Sequence, residues 1–115
     1  IGVFLGDDDI SSAAMARHVL HYVQLIGANH VGIGIDYEIS ADAGLDDGVI
    51  GLDVAMGQNP DFWPPEQYPG GALRCAAPSQ MREIAANLLA EGLREEEVVG
   101  ILGGNFRRVA AQVWG

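Results

Sequence analysis

Solid apolar runs of about strand length alternate along this chain with longer stretches in which apolar residues recur at helical spacing. Ile1 to Leu5 is the first such run, and it predicts a short buried strand stopped by Gly6 and by Asp7, Asp8 and Asp9. A helix should follow, with Ser11 or Ser12 as its N-cap and Asp9 near its positive end. Met15, Val19, Tyr22, Val23 and Ile26 then form one core-facing stripe, and Gly27 is a natural stop. Val31 to Ile35 carries no polar side chain, so it reads as a strand buried on both faces. Strand, helix, strand with short connections is a βαβ unit, which implies parallel strands and a right-handed crossover.

From Ile39 to Ala77 the periodicity dissolves. This stretch holds four of the five prolines and the run Phe62-Trp63-Pro64-Pro65. A connection of that length inside a domain is usually functional, often a lid or a binding loop, or else marks elements wrongly assigned. It leaves the same strand end that carries Asp36 and Glu38, and Val49 to Met56 reads as a short element within it. The last third is helical. Pro78 or Ser79 starts a helix with Ile84, Leu88 and Leu89 facing inward, ended by Gly92. Glu95, Glu96 and Glu97 sit in the positive first turn of the next helix, which should bury Val98, Ile101 and Leu102. Gly103-Gly104 breaks it, and Asn105 can cap a final helix carrying Phe106, Val109, Val113 and Trp114.

Composition narrows the partners. The 115 residues are 49% apolar, enough for one modest domain with its own core. Net charge is −10, from 16 acids against 6 basic residues, all of them arginine. A phosphate-binding surface needs clustered bases, so nucleic acid and anionic membranes are poor partners. Cations and substrates bearing an ammonium group suit this surface better, although ordinary solubility explains net acidity equally well. Cys75 is the only cysteine, which excludes an internal disulfide framework and points to a reducing, cytoplasmic setting. No apolar stretch reaches membrane-spanning length, and no signal-peptide pattern opens the chain. A start at Ile1, already inside a strand-like run, suggests part of a larger architecture.

The candidate chemistry is concentrated at Asp36 and Glu38. Strand side chains alternate, so the two carboxylates point the same way at the C-terminal end of the predicted strand. In parallel α/β sheets and barrels that end holds ligands and catalytic groups. The same acids also read simply as the place where solvent begins. His18 and His21 lie three apart on the first helix without an HExxH arrangement; His18 falls on the apolar stripe, so a packed histidine outweighs a metal ligand. His30 lies at the wrong end of the strand for a site. Asp7 to Asp9 can complement the helix dipole or bind a cation, but the calcium-loop spacing is absent. Gly32 and Gly34 sit inside the strand, so no dinucleotide loop is present, and no GxSxG elbow or triad appears.

Two runs resemble the C-terminal region of the membrane (renal) dipeptidases. Arg17-His18-Val19-Leu20-His21-Tyr22-Val23-Gln24-Leu25-Ile26-Gly27, followed by His30-Val31-Gly32-Ile33-Gly34-Ile35-Asp36-Tyr37, is similar to that family's His-x-x-His helix and its HVGIGSDFDG strand. Gly100-Ile101-Leu102-Gly103-Gly104-Asn105-Phe106-Arg107-Arg108-Val109 is similar to its closing GGN-x-x-RV signature, preceded in both by a matching Ala90-Glu91-Gly92-Leu93 to Val98 stretch.

The resemblance implies an α/β fold: the last two βα units of a (β/α)8 TIM-barrel metal-dependent hydrolase followed by C-terminal helices, with residues 1–115 forming a partial barrel and 39–77 a long loop. It implies hydrolysis of dipeptides with a free amino terminus at a binuclear zinc centre, where zinc generates hydroxide and polarises the peptide carbonyl. Asp36 matches the family's aspartate that moves the proton and binds the substrate's ammonium, so it is both the catalytic and the substrate-binding candidate. Glu38 and Ile39 depart from the family's DFDG ending, so the loop leaves the strand differently. None of the three histidines matches a family zinc ligand. No metal ligand is therefore expected in this segment, and the isolated chain should be inactive. The partners implied are a dipeptide substrate and the remainder of the barrel; buried strands with open edges would also invite self-association. Two rival readings are a non-catalytic acidic barrel fragment that binds a partner or cation, and a related amidohydrolase of other specificity.

Overall fold

The computed structural model describes residues 9–35, 49–50, 60–62, 73–74 and 76–115. Helix α1 spans Ser12–Ile26, and Ser11 is its N-cap: the hydroxyl accepts from the Ala14 N–H at 3.2 Å. Asp9 supports the same end, accepting from the Ser11 N–H at 3.0 Å and from Arg17 at 3.2 Å. These bonds, those from Ser11 foremost, hold its carboxyl below the usual carboxylate range. The helix stops at Gly27, whose φ of 85° leaves helical space and whose N–H closes on the Val23 carbonyl. A single 3₁₀ turn, Ala28–His30, then redirects the chain.

Another 3₁₀ turn, Pro78–Gln80, leads into α2, Met81–Ala90, and α3 follows at Glu95–Val99. In α3 the expected acidic first turn is present. Glu97 returns to the Arg94 N–H at 2.9 Å, the carboxylate half of a capping box, and also pairs with the Arg94 guanidinium at 3.1 Å. A π-type turn, Gly100–Gly104, contains Gly103 at φ 152°, a backbone angle open to glycine and strained for other residues. Helix α4, Asn105–Trp114, ends the chain.

The core gathers α1, α2 and α3. Met15 and Val19 from α1 meet Ile84 and Leu88 from α2, with Val98, Ile101 and Val31 closing the cluster. Each fully buried aliphatic side chain of this kind is worth about 1.5–3 kcal/mol relative to exposure. A polar network joins the helix starts. The buried Ser12 hydroxyl donates to Glu83 at 2.7 Å and accepts from Gln80, which also donates to the Ile10 carbonyl at 2.8 Å. Several expected core residues lie outside. Ile26, Leu89 and Leu102 are exposed, as are Phe106, Val109, Val113 and Trp114 on α4. Helical spacing marks a face, and only the presence of a packing partner decides whether that face is buried.

Sheet structure differs from expectation. The described residues contain one antiparallel pair, β1 at Val49–Ile50 and β2 at Leu73–Arg74, with Val49 opposite Arg74 and Ile50 opposite Leu73. It pins two points of the long loop together. Residues 31–35 pair with no strand among the described residues. Val31 is extended (φ −106°, ψ 138°), but a strand exists only through the neighbour that takes its backbone hydrogen bonds. Nor is the segment buried throughout: Val31 and Gly32 are buried, Ile33 and Ile35 are half-buried against the core, and Gly34 is exposed. The other predicted strand, Ile1 to Leu5, lies outside the described residues.

Candidate functional site

Asp36 and Glu38 follow directly on the last described residue of the 31–35 segment and themselves lie outside the described residues, as do Asp7, Asp8 and Cys75. What the structure defines is the approach to Asp36. The 3₁₀ turn brings the His30 N–H onto the Gly27 carbonyl at 3.1 Å and the Val31 N–H onto the Ala28 carbonyl at 3.4 Å. Residues 74 to 79 positions further along then fasten this turn from outside.

Asn105 is the centre of that fastening. Its Nδ2 donates to the Ala28 carbonyl at 2.8 Å and to the Val31 carbonyl at 2.8 Å. An amide nitrogen carries two hydrogens, so both are used. The expected role of Asn105 as an N-cap is thereby corrected: no side-chain cap bond forms at the start of α4, because the side chain reaches across to another segment. Its Oδ1 lies over Gly100, where a Cβ would come within 3.1 Å. Arg108 on the next turn donates from Nη2 to the Asn29 carbonyl at 2.6 Å. Phe106 completes the arrangement. The edge of its ring occupies the space a Cβ on Gly32 would need, so the two approach only because position 32 has no side chain.

The histidines do not assemble a centre. His18 is half-buried on α1, His21 is exposed with its ring edge-on to Tyr22 at 5.7 Å, and His30 is exposed in the turn. Among the described residues no three His, Cys, Asp or Glu side chains come together as a group that could hold a metal. Asp9 is engaged at the N-terminus of α1, in line with the dipole reading of that cluster. No described helix is long and apolar enough to cross a membrane.

Sequence reasoning singled out the GGN run but not what it touches. The signals were a glycine inside an apolar run, at Gly32, and an asparagine directly after two glycines. Each has a local explanation, and neither by itself names a partner more than 70 positions away.

The turn lies between the two parts of the first run that suggested a family, and the clamp residues Asn105, Phe106 and Arg108 lie in the second. Comparison with known proteins points the same way. The chain is 28% identical over 107 residues to a protein of Aspergillus terreus named dipeptidase ataJ. This chain is similar to a dipeptidase. The match covers 93% of the chain but only 19% of that relative's length, so the chain spans about a fifth of the curated protein it matches. No family model and no solved structure matches the chain.

Proposed function

We propose that this chain is the C-terminal part of a zinc-dependent dipeptidase, comprising the last two strand–helix units of a (β/α)8 barrel and the helices that close it. The observation that carries the reading is the similarity to a dipeptidase along 93% of the chain. The resemblance of residues 17–27, 30–37 and 100–109 to dipeptidase motifs supports it. In this reading residues 31–35 form a barrel strand with one neighbour from residues 1–5 and the other from polypeptide outside this chain.

Asp36 is the residue assigned to the chemistry. Its carboxylate accepts the proton of the attacking water and returns it to the leaving amine as the peptide bond breaks. The same carboxylate pairs with the ammonium of an unblocked substrate, which selects dipeptides with a free amino terminus. Zinc, when bound, lowers the pKa of its water toward neutrality. In this reading its ligands come from polypeptide outside this chain, because none of His18, His21 and His30 matches a family zinc ligand.

In the complete polypeptide, Asp36→Asn should lower dipeptide turnover by about 10²- to 10⁴-fold, the range for loss of a general acid–base group. Zinc content, measured by atomic emission, should stay at the wild-type level, and N-acetylated dipeptides should be poor substrates of the unmodified enzyme. Normal hydrolysis by the asparagine variant would remove Asp36 from the mechanism.

A further inference from the structure

We infer that Asn105 and Phe106 are positioning residues: they fix the line along which the chain enters residues 31–35, the segment that leads in sequence to Asp36. The inference rests on the function proposed above for Asp36. The structural part of it, the clamp, stands on its own geometry.

Helix α4 buries none of its own side chains; Val109, Val113 and Trp114 are all exposed. Its polar contacts with the rest of the fold are instead concentrated near its start. Asn105 spans the carbonyls of Ala28 and Val31, and Arg108 takes that of Asn29 between them. Phe106 fills the gap beside Gly32, one residue further on. Three of the four carbonyls from Ala28 to Val31 are therefore held by a single helix. Contacts of this kind do little for helix burial and much for the direction of the segment they grip.

The chemistry of the grip is specific. A neutral amide supplies two coplanar donors, whereas a carboxylate at the same place would set oxygen against two carbonyl oxygens. Gly100 beneath Oδ1 keeps the amide group close to the backbone. Asn105→Asp is thus nearly the same size with the donors removed. Because a misplacement of about 1 Å at a reacting group can cost 10²-fold in rate, a small turn of this segment should be read in kcat.

The test uses the complete polypeptide that carries this chain, with two readouts on the same variants. Amide hydrogen exchange reports order at residues 30–33, and dipeptide hydrolysis separates kcat from KM. Asn105→Asp should speed exchange at those amides and lower kcat by about 10- to 100-fold with KM little changed. Gln112→Ala, at an exposed polar position of the same helix, should alter neither. Faster exchange with an unchanged kcat would reduce Asn105 to a purely structural tie and overturn the positioning role. Unchanged exchange would overturn the clamp itself. Should the aspartate variant fail to fold, Phe106→Leu is judged by the same pair of measurements. If the unmodified enzyme hydrolyses no dipeptide, the proposed function and the positioning role fall together, and exchange alone still decides whether Asn105 orders the turn.

Discussion

At the scale of single residues, Gly32 shows how a missing side chain can be a structural requirement. A methyl group there would overlap the edge of the Phe106 ring. Overfilling a packed site costs about 1–3 kcal/mol. Phe106 is 51% exposed, so its ring can swing toward solvent, which places the cost near the lower limit. Gly32→Ala should therefore lower unfolding stability by about 1 kcal/mol in urea titrations. In a Phe106→Ala background the same substitution should cost much less, and a double-mutant cycle measures the difference. Equal costs in both backgrounds would show that something other than the ring excludes a side chain at position 32.

At the scale of elements, what was legible in the sequence was what is decided locally. Ser11 as the cap of α1, Gly27 as its stop and the acidic first turn of α3 each depend on groups within four residues. Leu89 and Leu102 have the right spacing for burial and are exposed, because their neighbours in space, not their spacing, decide it. Asn105 shows the same limit from the polar side. An asparagine after Gly104 has a local use as a cap, but two carbonyls far back in the chain take its donors instead. The pairing of Val49–Ile50 with Leu73–Arg74 was only half visible: two-residue strands are too short to carry a period.

The start of α3 also carries a pH signature whose sign can be fixed. Hydrogen bonds from Arg94, its side chain first and then its backbone N–H, hold the Glu97 carboxyl below the usual range. A carboxyl lowered on folding contributes stability above its unfolded pKa and loses that contribution as pH falls through the folded value. Wild type should therefore melt slightly above Glu97→Gln at neutral pH, with the gap closing below the ordinary carboxylate range. The effect should be small and sensitive to salt, since Arg94 is exposed and Glu97 only half-buried. A gap that persists in strong acid would assign the difference to something other than ionisation.

At the scale of the whole molecule, two features oppose each other. A net charge of −10 draws cations to the surface, but charge alone builds no site for any of them. A tight zinc site needs three or four donors converging within coordinating distance, and the described residues provide no such group. With the zinc ligands supplied by other polypeptide, as proposed, calorimetric titration of the isolated 115-residue chain with zinc should give only weak heats that fade as salt is raised, and the chain should not hydrolyse dipeptides. The exposed apolar side chains of α4 fit the same account, because a barrel completed by further polypeptide would give Val109, Val113 and Trp114 something to pack against. Stoichiometric submicromolar zinc or calcium binding without hydrolysis would favour an acidic cation-binding module. Hydrolysis by the isolated chain would contradict the account more deeply, since the donors and the proton carrier would then have to lie within these residues, with no contribution from the rest of a barrel.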